Sequence, residues 1–186
     1  MSVLEIRVLG DPVLRKETKP VAVVTDDVRR LIDDMFETMR MAKGIGLAAP
    51  QVGRMERVAV IDVRDSHGPL ALVNPEIVER EGSIKGEEGC LSIPDVYDDV
   101  ERAAAVVVRA LDRKGTPITV EANELLARCL QHEIDHLHGR LYIDRMESRT
   151  FATIENVGRY WKDLPIHAVR GALKLAWKLK TSAANG

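Results

Sequence analysis

Gln131-His132-Glu133-Ile134-Asp135-His136-Leu137-His138-Gly139 decides how this chain is read. It contains the pattern His-Glu-x-x-His. Residues four apart on an α-helix rise by ~6 Å and share a face. His132 and His136 can therefore converge on one metal ion. Glu133 lies one residue round, where its carboxylate can handle a proton of metal-bound water. The helix is itself legible, because Leu125, Cys129, His132 and His136 recur at i, i+4, i+7 and i+11, one helical stripe. That stripe faces the interior or a cleft, and Gly139 suits the helix stop. The same motif also arises by chance, with one ordinary histidine in the core and one on the surface. The remainder of the chain decides between these readings.

Two histidines rarely hold a divalent ion, so a third ligand must come from elsewhere. A metzincin would place histidine at 142, where this chain has Tyr142. A thermolysin-like peptidase would place a glutamate some way downstream, and Glu155 fits that spacing. Cys90, flanked by glycine in a loop, is the other candidate. Cys129 does not complete a closed site of two cysteines and two histidines. It stands seven residues from His136, ~10 Å along the helix axis, too far for both side chains to share one ion at metal-bond lengths. Cys129 is more simply a small apolar residue beside the site. A position stays open to solvent or substrate, which favours a catalytic centre over a structural one.

Upstream, residues 25–43 predict a helix. Thr25 can cap it and Asp26 and Asp27 suit its positive end. Val28, Leu31, Ile32, Met35, Phe36 and Met39 form its apolar stripe, and Gly44 can terminate it. The stretch 44–53 is small, apolar and broken by glycines. It lacks the lysine of a P-loop and the spacing of a dinucleotide fold, so phosphate binding is disfavoured. Such a segment is either a tightly packed turn or a place where another backbone approaches closely. Strands are expected at 58–63, 70–73, 103–111 and 118–121, with turns at 65–69 and 112–117. The stretch 81–94 is glycine-rich, with Cys90 expected in a glycine-flanked loop, and the motif helix begins near Asn123.

The bulk numbers limit the alternatives. A chain of 186 residues, 45% hydrophobic and 30% charged, suits one soluble domain with a sizeable core. A net charge of -2 does not suit a general nucleic-acid binder, so no DNA partner is expected. No apolar stretch is long enough to span a bilayer, and no signal peptide is evident. Two cysteines cannot make a disulfide framework, which fits a cytoplasmic, reducing compartment.

Three stretches, taken together, carry a resemblance. Gly44-Ile45-Gly46-Leu47-Ala48-Ala49-Pro50-Gln51, Glu88-Gly89-Cys90-Leu91-Ser92 and Gln131 to His136 resemble, in order, the three motifs of peptide deformylases. The resemblance runs from about Asp11 to Arg145. It implies an α+β fold, with the motif helix enclosed by antiparallel β-sheets. It implies removal of the N-formyl group from the N-terminal methionine of nascent polypeptides. It implies one divalent metal held by Cys90, His132 and His136, with iron(II) the usual ion; zinc, nickel and cobalt suit the same donors. Glu133 is then the proton carrier. The side-chain amide of Gln51 and the backbone N–H of Leu91 are the oxyanion donors. Gly44, Gly46 and Gly89 lie on strand edges that can take the substrate backbone. Ile45, Leu125 and Cys129 wall the methionine pocket, although Leu125 and Cys129 also fit the core. Glu88 pairs with Arg102 to brace Cys90, or is simply a solvated glutamate.

The expected organisation is one domain over 1–186, monomeric, with 146–186 a C-terminal helical extension. Within it, 168–180 predicts a helix whose Arg170, Lys174 and Lys178 fall four apart beside an apolar stripe. A docked surface helix with a solvated basic face is one reading. A membrane-surface helix is a second. The resemblance implies a third, since deformylases act on chains emerging from the ribosome: weak, salt-sensitive contact with ribosomal RNA through these three residues.

Overall fold

The computed structural model describes residues 2–145. Glu155, Arg170, Lys174, Lys178 and the whole expected extension lie outside the described residues.

Among the described residues the fold is α+β. Five strands, β1 (Gly46–Ala48), β2 (Val58–Ile61), β3 (Leu70–Glu81), β6 (Ala105–Leu111) and β7 (Pro117–Asn123), form an antiparallel sheet in the order β1-β2-β3-β6-β7. Two further strands, β4 (Ile84–Cys90) and β5 (Ile93–Arg102), form a separate antiparallel hairpin.

Helices α1 (Asp26–Met41) and α2 (Glu124–Leu137) pack on opposite faces of the large sheet. Alternation along β2 produces this, since successive side chains of a strand point to opposite faces. Val58 and Val60 join α1 residues Leu31, Ile32 and Met35 in one core cluster. Ile61 joins α2 residues Leu126, Leu130 and Ile134 in another, with Val106, Val108 and Val120. Each fully buried aliphatic side chain stabilises the fold by roughly 1.5–3 kcal/mol.

Helix α1 is capped as expected, the Thr25 hydroxyl accepting from the Val28 N–H at 3.4 Å. Its end differs. The helix stops at Met41, and Lys43, not Gly44, takes the left-handed conformation at φ 58°. The Gly44 N–H closes the turn on the Met39 carbonyl at 2.9 Å. Gly44 instead leaves room for Leu91: a Cβ there would stand 2.8 Å from Leu91 Cδ1, and that side chain would have to shift.

Two strand readings also need correction. Cys90 is not in a loop but is the last residue of β4, and the stretch 81–94 holds all of that strand, the turn after it and the start of β5. The strand expected at 70–73 runs on to Glu81. Asn74-Pro75 resembles a strand terminator, yet the ladder with β6 continues past it through a one-residue bulge. A proline at a bulge forfeits no ladder hydrogen bond.

Candidate active site

Helix α2 begins at Glu124 with Asn123 at the cap, near the expected start. The Glu124 N–H is satisfied by the Ala104 carbonyl at 3.1 Å rather than by the Asn123 side chain. It ends at Leu137, and Gly139 just beyond the cap has a φ of 69° and a close approach to the Arg15 carbonyl that exclude a side chain. Between these ends the motif stripe faces a cleft. His132, Glu133, His136 and Cys129 are buried. Leu125 is 51% exposed at the cleft mouth opposite Ile45, 39% exposed. Leu125 is therefore a cleft wall and not core, whereas Cys129 serves as both.

The ligand atoms of Cys90, His132 and His136 lie within 4.8 Å of one another. Cys90 Sγ stands 3.2 Å from His136 Nε2. Cys129 is outside the cluster, its thiol donating to the Ile45 carbonyl at 3.6 Å. Burial and the neighbouring Glu133 push that thiol well up, so it stays protonated and inert.

The donor set fits a divalent cation. His132 presents Nδ1 to Glu88 Oε2 at 3.0 Å, which fixes the ring and leaves Nε2 toward Cys90. Burial alone would lower the His132 pKa. Its bonds to Cys90 and Glu88 instead raise it well above the usual histidine range. The pocket thus favours positive charge at this point. His136 is pushed down by burial and by His132, so its imidazole is neutral with a lone pair to give. One sulfur and two imidazole nitrogens suit iron, zinc, nickel or cobalt.

Glu88 is the pivot of a buried ionic chain. Arg102 donates Nε to its Oε1 at 2.8 Å and Nη2 to its Oε2 at 2.9 Å, a bidentate fork. The pairing expected from the sequence is therefore present. Burial opposes charge on Glu88, but Arg102 and His132 more than offset it and hold the carboxyl down at about 2. Arg102 continues to Asp135, and Arg145 also grips Asp135. Burial opposes charge on Asp135 as well, yet the two arginines hold its carboxyl low.

Glu133 differs from both carboxylates. Its Oε2 is buried without a hydrogen-bond partner, and burial pushes the carboxyl up to about 7. It leans against β1 at Gly46, where a Cβ would collide with Oε1 and with Cys129 Sγ. Gln51, also buried, accepts from the Ala48 N–H through Oε1 at 2.8 Å. Its Nε2 is thereby aimed at Cys90 Sγ, 3.5 Å away, and at Ser92 Oγ, 3.2 Å. Leu91 lines the same cleft, as do Gly44, Ile45, Gly46 and Gly89. Gly89 is covered by its cross-strand partner Tyr97, whose ring fills the space a Cβ would need.

Some site residues escaped the sequence reading. Asp135 stands inside the motif, and its burial beside His136 was the missing signal. Arg128 is four residues before His132 on the same helical face, a spacing that could have marked it. Tyr142, buried, stacks on His132 with centroids 6.0 Å apart, and no local pattern announces it.

Comparison with known proteins points to one family. The family model of polypeptide deformylase matches residues 3–152. A peptide deformylase of Alkalilimnicola ehrlichii is 57% identical over 146 residues, 77% of this chain and 82% of that one. One from Acetivibrio thermocellus is 56% identical over 146 residues, 78% of this chain and 85% of that one. Among solved structures, the Thermotoga maritima peptide deformylase superposes with TM-score 0.76 at 43% identity, covering 80% of this chain and 100% of that one. The Ehrlichia chaffeensis peptide deformylase in complex with actinonin gives TM-score 0.81 at 37% identity, covering 89% of this chain and 100% of that one.

Proposed function

The chain belongs to the polypeptide deformylase family, and on that footing we propose that it removes the N-formyl group from the N-terminal methionine of nascent polypeptides, releasing formate. Cys90, His132 and His136 would hold one divalent metal, iron(II) by family resemblance. When bound, that ion supplies Lewis acidity and a water of lowered pKa.

The chain's own groups do the rest. Glu133 takes the proton of the attacking water on its unpartnered Oε2. A carboxyl near pKa 7 can both accept that proton and release it at neutral pH. As water oxygen bonds to the formyl carbon, charge develops on the carbonyl oxygen. Gln51 Nε2 and the Leu91 N–H donate to it. When the C–N bond breaks, Glu133 returns the proton to the departing amine nitrogen. Formate and a free methionyl terminus leave. The substrate backbone lies along the edges at Gly44, Gly46 and Gly89. The methionine side chain sits among Ile45, Leu125 and Cys129.

The observation that carries this reading is the juxtaposition, in one cleft, of the three-ligand cluster and an orphaned buried carboxylate oxygen. The test is formate release from a formyl-Met tripeptide beside its acetylated analogue. Release from the formyl peptide with the acetyl peptide inert is expected. Equal hydrolysis of both, or cleavage of an internal peptide bond, would overturn it.

A further inference from the structure

The three ligands stand on two pieces of structure that share no backbone ladder. His132 and His136 ride on α2, and Cys90 ends β4 in the separate hairpin. The distance between sulfur and imidazoles therefore depends on how the hairpin docks against the helix. Long side chains make that docking. Among the described residues of α2, Arg128, on the same face as His132, is the one that reaches both strands. Its Nη2 donates to the Ile84 carbonyl at 3.0 Å. Its Nη1 reaches the Gly86 carbonyl at 3.2 Å, the Val100 carbonyl at 2.9 Å and Glu88 Oε1 at 2.8 Å. Gly86 and Val100 are cross-strand partners, so one guanidinium spans the ladder. A Cβ at Gly86 would stand 3.1 Å from Nη2, so the glycine leaves room for this fork. The side chain is only 12% exposed.

We infer that Arg128 is a positioning residue that sets the hairpin, and with it Cys90, at ligand distance from His132 and His136. It acts through both backbone carbonyls and Glu88, which itself orients His132. A lysine cannot replace it, since a single ammonium cannot serve acceptors on two strands in a fixed plane. The inference rests on the reading of the triad as a metal centre.

The test is Co(II) titration of the metal-free, full-length protein, followed by the dissociation constant and by thiolate-to-cobalt absorption. Arg128→Lys should weaken Co(II) binding on the order of 10–100-fold. At saturating cobalt the absorption band should shift, a change that loss of global stability alone would not cause. Gly86→Ala, which crowds the guanidinium without removing it, should move both readouts in the same direction. It decides the matter if Arg128→Lys does not fold. In the cobalt enzyme kcat should fall while KM stays near its original value. Wild-type affinity and an unshifted band in the folded variants would overturn the inference. If the unmodified chain binds Co(II) without thiolate absorption, the metal reading itself fails, and the inference with it.

Discussion

Helix α2 and the β4–β5 hairpin face each other across the metal-ligand cluster, yet they are held in place by different physics. The helix is fixed by apolar packing: Leu126, Ala127, Leu130 and Ile134 fill one cluster against β2, β6 and β7. The hairpin buries Ile93 and Val100, but its inner face toward α2 is ionic, with Glu88 and Arg102 at 4% and 2% side-chain exposure. Apolar packing is non-directional and tolerant of small changes. A buried ionic face is directional, and loss of one member leaves its partner charged and unpaired. The helix therefore places chemistry robustly, while the hairpin places one sulfur exactingly.

Substitutions on the two sides should separate these modes. On the helix, Glu133→Gln keeps side-chain shape and should leave the melting temperature no lower. Turnover should fall by roughly 10²–10⁴, with metal content retained. Formate release and metal analysis on one preparation check this, and near-normal turnover would remove Glu133 from the proton path.

On the hairpin side the leading effect should be on stability. Arg102→Met strips Glu88 and Asp135 of their shared partner. Breaking such a buried pair costs roughly 3–5 kcal/mol. Urea unfolding of the variant should show that loss at an unchanged m-value. A change below ~1 kcal/mol would mean that Arg128 and Arg145 suffice.

Gln51 stands between the two pieces, tied to β1 through Ala48 and aimed at Cys90. Gln51→Leu should cost on the order of 10²–10³ in kcat with little change in KM. A loss confined to KM would make it a substrate-positioning group.

The smallest effect belongs to the end of α1. Lys43 carries a left-handed backbone that glycine adopts without penalty. Lys43→Gly should stabilise the fold by about 1 kcal/mol, read as a higher melting temperature. A lower one would show that the lysine side chain makes a contact worth more than the strain.

The same contrast explains what was legible in the sequence. Helix α2 declared itself because its period of 3.6 and the spacing of its ligands coincide. The valine runs of β2 and β6 did likewise, since both strands are buried on apolar faces. The hairpin did not, because its inward positions include Gly86, Glu88 and Arg102, and alternation of that kind does not look like a strand. The outer half of β3 was hidden by Asn74-Pro75, which reads as a stop until the bulge is seen. At the site, the three motifs pointed to Cys90, His132 and His136, and the structure brings them together. Asp135, Arg128 and Arg145 were not legible as partners. Their partners lie 10 to 44 residues away, and long-range pairing has no local period.

The bulk of the hairpin's separateness lies in space, but it also orders events in time. Strands β4 and β5 meet through a tight turn, a closure that takes microseconds. Docking onto α2 joins residues 28 to 44 apart and should follow the local closure of the hairpin and of the helix. On that order the histidines would be presented on a finished helix, with the cysteine arriving last. Amides of β4–β5 should accordingly exchange with deuterium through an opening that leaves the five-stranded sheet closed. The final act of folding would be the assembly of the metal-binding pocket itself.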